Sequence, residues 1–209
     1  MIRPLQARDC AQVAAIHVAA RPGDVLPDLG VSFLTSLYAA LLHRPDVAAF
    51  VYEERGQAEG FVLGCLNASR VMPAVLRRAW LPLGLKTCLR CVSHPRLIPL
   101  ALETLAYPRR SRYAGPELMA IAVDPSRQGR GIGTHLVAAL SEWFRAQGCA
   151  RYCVAVKAKN EPATRFYRRR GFRVIDQLRM YHEPWEVYEC IMTPQAALPA
   201  SAFPSPAHH

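Results

Sequence analysis

Hydrophobic positions at helical spacing alternate along the chain with short apolar runs bounded by turn residues. Residues 2–5 read as a short strand. Asp9 is placed to cap a helix through residue 20, in which Val13, Ile16, His17 and Ala20 share a face. Arg21-Pro-Gly-Asp24 breaks that helix, and residues 29–43 resume it with Phe33, Leu34, Leu37, Tyr38, Leu41 and Leu42 on the apolar side. Residues 48–53 and 60–67 read as strands around a turn containing Gly56, which is a hairpin signal. The run 118–123 is a strand that stops at Asp124-Pro125. A helix over 131–147 follows, burying Ile132, Leu136, Val137, Leu140, Trp143 and Phe144, and Gly148 ends it. Strand 151–156 places Tyr152, Val154 and Val156 on one face. A short helix over 160–170 is capped by Asn160 and stopped by Gly171, and strands over 173–182 and 185–192 finish the pattern.

That order is β-α-α-β-β-(insert)-β-α-β-α-β-β, a mixed α/β (α+β) sheet with helices and no internal repeat. The expected domain runs over residues 1–193. Residues 194–209 are rich in Ala, Pro and Ser and read as a disordered tail.

The insert, residues 70–112, differs from the rest. Pro73, Pro82, Pro95, Pro99 and Pro108 limit it to short, kinked helices. Its cations face a single acid, Glu103, so it carries most of the chain's formal charge of +10. Interleaved leucines make it amphipathic rather than linker-like. Such a surface suits an anionic ligand or an anionic lipid surface, and equally a solvated face over a satellite core.

Charge of this sign favours phosphates, nucleic acid or acidic membranes as partners. No helix-turn-helix, zinc or RNA-binding signature accompanies it, which disfavours nucleic acid. Seven cysteines without a repeating pattern point to free thiols in a reducing, cytoplasmic setting. No signal-peptide pattern and no apolar run of about 20 residues is present, so the expectation is a soluble chain. Cys88-x-x-Cys91-x-x-His94 offers three ligands without a fourth, so no metal is expected.

The chemistry concentrates between residues 117 and 134. A strand runs into a loop with Arg127, Gly129, Arg130, Gly131 and Gly133, and then into a helix. Unpaired N–H groups at a helix start, with glycines that admit close approach, form an anion cradle. A Rossmann loop needs its third glycine one residue later and an early parallel βαβ unit. A Walker A loop needs a lysine that is absent here. The remaining pattern, Gln128-x-x-Gly131-x-Gly133, resembles the pyrophosphate-binding signature of the GNAT superfamily of acyl-CoA N-acyltransferases. Ile121-Ala-Val-Asp-Pro125 resembles that family's strand beside the thioester. Asn160-Glu-Pro-Ala-Thr-Arg-Phe-Tyr-Arg-Arg-Arg-Gly-Phe172 resembles its second cofactor element. The element order fits residues 2–192, apart from the insert between the third and fourth strands.

This resemblance implies a GNAT-like fold and acetyl-CoA as co-substrate. It implies that Gln128, Gly129, Arg130, Gly131, Ile132, Gly133 and Thr134 hold the pyrophosphate. Ile121, Ala122 and Val123 would contact the pantetheine and polarise the thioester, and Asn160 would touch the pantetheine arm. Tyr167 would be the acid for the departing thiolate, with packing as its alternative role. Glu117 resembles a position for a water-linked base. On the following strand, where the branch acting on a ribosomal protein's N-terminus carries a glutamate, this chain has Ala155, and that argues against such an acceptor. His17, Asp24 and His135 are further base candidates. Arg127 and Arg130 suit phosphate, Arg168, Arg169 and Arg170 suit an exposed face beside the cofactor, and Cys153 suits a buried strand thiol.

The implied reaction is direct attack of a small-molecule primary amine on acetyl-CoA in a ternary complex. A nucleotide-linked amino sugar fits the insert's charge. A protein N-terminus or lysine is the next acceptor, and a silent acyl-CoA-binding module is the non-enzymatic alternative. No pattern in the sequence sets the oligomeric state.

Overall fold

The computed structural model describes residues 1–78, 83–84, 95, 98–99 and 115–192. The expected tail, most of the insert and the Cys88–His94 stretch lie outside the described residues.

The elements in chain order are β1 (Ile2–Pro4), α1 (Cys10–Ala20), α2 (Val25–Asp28), α3 (Val31–Leu42), β2 (Val47–Glu54), β3 (Gln57–Cys65) and α4 (Ala68–Arg78). There follow β4 (Glu117–Val123), α5 (Ile132–Ala146), β5 (Arg151–Lys157), α6 (Glu161–Arg168), β6 (Arg173–Met180) and β7 (Glu183–Ile191). The mixed α/β expectation holds. The strands form one seven-stranded sheet in the order β1-β2-β3-β4-β5-β7-β6. All neighbours are antiparallel except β4 and β5.

Alternation along the strands feeds two cores, one on each face. Val51, Phe61 and Leu63 pack under α1 and α3 together with Val13, Leu34 and Leu41. Phe50, Val62, Tyr152, Val154 and Val156 pack under α5 with Leu136, Leu140 and Phe144. The helix after the glycine loop lies close to the sheet because β3 is bare beneath it. A Cβ on Gly64 would come within 2.7 Å of Leu140, and one on Gly60 within 3.2 Å of Ile132 and Leu136. Trp143, expected to be buried, is only partly so and packs on the edge of this core.

Two local expectations are corrected. Asp9 does not cap α1 through its side chain. Its carboxylate accepts from the Gln6 N–H at 2.8 Å and pairs with Arg3 at 2.6 Å, which holds it below the usual carboxylate range. The second helix begins at Val31 rather than at residue 29, because Gly30 adopts φ +93° at its N-cap, and the unexpected short helix α2 precedes it. The β2–β3 turn uses Arg55 and Gly56, both at positive φ, as its hairpin signal implied. Pro73 sits inside α4, whose Val71 and Val75 are buried while Arg70, Arg77 and Arg78 are exposed. Among the described residues no helix is long and apolar enough to cross a membrane, and Cys10, Cys65, Cys149 and Cys190 are free thiols.

Candidate active site

The parallel neighbours β4 and β5 meet at one register pair, Glu117 opposite Cys153, and then part. A wedge opens toward their C-terminal ends. The turns leading into α5 and α6 follow those ends directly, so two helix N-termini stand at the mouth of the wedge. On β4 the ladder to β3 slips: Leu63 faces Ala120 and Gly64 faces Leu118, leaving Met119 without a partner on β3. A bulge of this kind releases backbone groups from the ladder, and Met119 lines the cavity in the wedge.

At the mouth, Gly129 and Gly131 both adopt the left-handed conformation, at φ +81° and +78°, and a Cβ at either would meet nothing within 4 Å. Among the described residues no backbone carbonyl accepts from the N–H groups of residues 128–133. Exposed glycines, successive unpaired donors and a helix start together form a concave anion site. The pyrophosphate of an acyl-CoA fits such a cradle. Gly133 allows the two cofactor motifs to touch, since a Cβ there would lie 3.2 Å from Phe166 of α6. Arg170 adds positive charge at the same place. Its guanidinium lies 3.7 Å from the centroid of the Phe166 ring and bonds to the Thr134 hydroxyl.

The other loop side chains divide. Arg130 is exposed, whereas the Arg127 Nε is held at 3.1 Å by the buried Glu59. The Gln128 amide donates to the Val123 carbonyl at 3.2 Å and so ties the loop to the end of β4. Asn160 caps α6, its carbonyl oxygen accepting from the Ala163 N–H at 3.2 Å. Of the proposed thioester strand, Ile121 lines the cavity, Ala122 is buried toward the α1 face and Val123 packs toward the α5 face.

Tyr167, on α6, is buried against Phe166, Phe172 and Tyr188. Burial pushes its phenol well above the ordinary value of 10, while the nearby cations Arg21 and Arg170 pull in the other direction. The phenol therefore stays protonated through the physiological range, as an acid requires. Packing and proton donation are not exclusive here. Arg168 and Arg170 are not simply solvated: Arg168 lies on Tyr188 and beside Glu186.

The cavity measures about 190 Å³ and is bounded by β4, β5, α1 to α4 and the β6–β7 hairpin. Glu117, at its closed end, is 8% exposed. His17 and Asp24, expected only as fallback bases, also line it, while His135 is exposed on α5 beside Tyr52. His17 shares a hydrogen bond with Tyr38, and burial first, then Arg21, push its pKa down to about 4. Ala155 occupies the β5 wall and leaves space there.

Sequence reasoning missed Tyr38, Lys157 and Trp185 in this wall. Lys157 shares the parity of Cys153 and Ala155, so its side of the strand was readable; its partners were not. It forms ion pairs with Asp24 at 2.6 Å and Glu183 at 3.2 Å. Among the described residues no cluster of three His, Cys, Asp or Glu side chains forms a metal site.

A family model described as acetyltransferase (GNAT) family matches residues 17–172. A mycothiol acetyltransferase of Saccharopolyspora erythraea is 39% identical over 56 residues, 27% of this chain and 18% of that relative. One from Clavibacter michiganensis subsp. michiganensis is 40% identical over 57 residues, 27% of this chain and 19% of that relative. These matches span less than a fifth of the curated relatives' length. Among solved structures, the PaiA N-acetyltransferase of Thermoplasma acidophilum in complex with coenzyme A aligns with TM-score 0.59 at 12% identity, covering 92% of this chain and 98% of that one. The ribosomal-protein-S18-alanine N-acetyltransferase of Escherichia coli aligns with TM-score 0.56 at 16% identity, covering 97% and 98%. At such identities the likeness is one of fold.

Proposed function

The chain belongs to the acetyltransferase (GNAT) family, acyl-CoA-dependent N-acetyltransferases, and we propose that it moves an acetyl group from acetyl-CoA to the primary amine of a small molecule by direct attack in a ternary complex. The observation that carries this reading is the wedge: the buried Glu117 lies at its closed end and the phosphate cradle at its open end.

The residues divide the work. The backbone of residues 128–134 and the Arg170 cation hold the pyrophosphate, and Asn160 and residues 121–123 flank the pantetheine. The N–H groups released around the β4 bulge polarise the thioester carbonyl, an oxyanion-hole role. An amine attacks only when neutral, and alkyl ammonium groups titrate near pH 10, so a base is needed. Glu117 takes that proton, directly or through a water. Tyr167 returns one to the departing thiolate. The acetyl group never leaves the wedge between donor and acceptor, so a ternary complex suffices.

The mycothiol acetyltransferase matches favour a small-molecule acceptor over a protein, and so does Ala155. An anionic acceptor, such as a nucleotide-linked amino sugar, draws its support from the 70–112 cations. Those that are described, Arg70, Arg77 and Arg78, lie exposed on α4 and do not line the cavity.

Incubation of the protein with labelled acetyl-CoA and a metabolite pool, followed by mass analysis, tests the reading. Label on one small amine, with stoichiometric release of CoA-SH, is the expected result. Acetyl-CoA binding without thiol release would instead support a silent binding module. Salt-dependent DNA binding that ignores acetyl-CoA would support a nucleic-acid role.

A further inference from the structure

The wall of the cavity is specific about the body of the amine. Leu37 and Leu41 of α3, Leu63 of β3, Met72 of α4, Met180 of β6 and Trp185 of β7 make it predominantly apolar. Among the described residues its cations already have partners. Arg21 lies 3.6 Å from Asp24, and Lys157 is held between Asp24 and Glu183. An acidic acceptor would have to break those pairs and lose its own hydration against leucine and methionine, a costly exchange. His17 and Tyr38 satisfy one another and stay uncharged at neutral pH. The Glu117 carboxylate also lines the cavity.

Size is consistent with that body. An enclosed apolar cavity of about 150 Å³ is known to hold one benzene, so this open cavity of about 190 Å³ has room for a single ring or branched alkyl group on a short chain.

The exits matter as well. Lys157 ties Asp24, in the α1–α2 turn, to Glu183, at the start of β7, and Lys159 bonds the same Glu183. The α1–α2 turn and the β6–β7 hairpin both line the cavity. The Asp24–Lys157–Glu183 strap spans the gap between them and would have to open for the continuing backbone of a peptide acceptor to leave on that side.

We propose that the acceptor is a small primary amine on an uncharged, apolar body, an aryl or branched alkyl group one or two carbons from the nitrogen. This rests on the acetyl-transfer reading above and names its substrate class. Apolar contact with Leu37, Leu41 and Trp185 holds the body, and Glu117 receives the amine.

The test offers the full-length protein acetyl-CoA with 2-phenylethylamine, isoamylamine, glucosamine 6-phosphate or a tetrapeptide with a free N-terminus, and follows thiol release. The two apolar amines are expected to exceed the others in kcat/KM by about tenfold or more. A lead for glucosamine 6-phosphate or the peptide overturns the proposal while leaving acetyl transfer intact. No thiol release with any amine, although acetyl-CoA binds, overturns the transfer reading and this proposal with it. Ala155→Leu narrows the cavity and should raise the KM for 2-phenylethylamine about tenfold with that for acetyl-CoA unchanged; an unmoved amine KM counts against the cavity as the acceptor site. Equilibrium dialysis of labelled 2-phenylethylamine against glucosamine 6-phosphate probes the same preference on the unaltered protein. Tighter binding of the aryl amine is expected, and preferential binding of the sugar phosphate refutes the proposal.

Discussion

Glu117 stands opposite Cys153 at the point where β4 and β5 cease to be neighbours. A carboxylate placed there is buried by the sheet yet faces the cavity. Glu117→Gln keeps the shape and removes the proton acceptor. Turnover is expected to fall about a hundredfold, with the KM for acetyl-CoA unchanged, as measured by thiol release over a range of acetyl-CoA concentrations. A variant as active as the parent would remove Glu117 from the mechanism.

Tyr167→Phe separates packing from chemistry. The ring contacts to Phe166, Phe172 and Tyr188 survive the change, and only the hydroxyl is lost. A fall in kcat of about a hundredfold with unaltered acetyl-CoA affinity is expected. Because burial raises this phenol above its ordinary value of 10, the parent enzyme should show no loss of rate from its ionisation up to about pH 10. A decline below pH 9 that disappears in the phenylalanine variant would contradict the assignment.

The loop can be tested by binding alone. Gly131 is at φ +78° with open space beyond it, so Gly131→Asp adds backbone strain and a negative charge beside the phosphates without a clash. About 1–2 kcal/mol of strain and the repulsion together should weaken acetyl-CoA by at least tenfold. Calorimetric titration, or the thermal stabilisation acetyl-CoA confers, reads the loss. Undiminished affinity would place the cofactor elsewhere.

The fold was largely legible because its signals are local. Alternation, glycine stops and the Asn160 cap mark elements that the structure reproduces within a few residues. The short helix α2 was missed because its four residues are too few to show a helical period, and the Gly30 cap was missed because apolar spacing runs through it. The turn at Tyr181 and His182, both at positive φ, lacks the Asn-Gly or Asp-Gly signal that betrays such turns. For the candidate site, the glycine loop at the helix start was readable since glycine spacing is a sequence property. The cavity wall was not. It depends on β7 inserting between β5 and β6, which brings Glu183 and Trp185 to Lys157, and no spacing along the chain encodes that pairing.

His17 links the cavity wall to stability. Its pKa in the folded chain is about 4, against an ordinary value of 6.5, chiefly because burial disfavours the charged ring. Above pH 6.5 the ring is neutral folded or unfolded, and the burial costs nothing. Between pH 6.5 and 4 the unfolded chain takes up a proton that the folded chain refuses, so stability falls with pH, by up to about 3 kcal/mol from this one group. Near pH 4 the folded ring begins to protonate and the loss levels off. Asp9, held down by Arg3, adds its own loss at still lower pH. His17→Gln retains a partner for Tyr38 but cannot titrate. Its urea midpoint should therefore change less between pH 7 and pH 4.5 than that of the parent, whatever its absolute stability. Equal slopes for the two proteins would mean that His17 is not buried neutral as the structure places it.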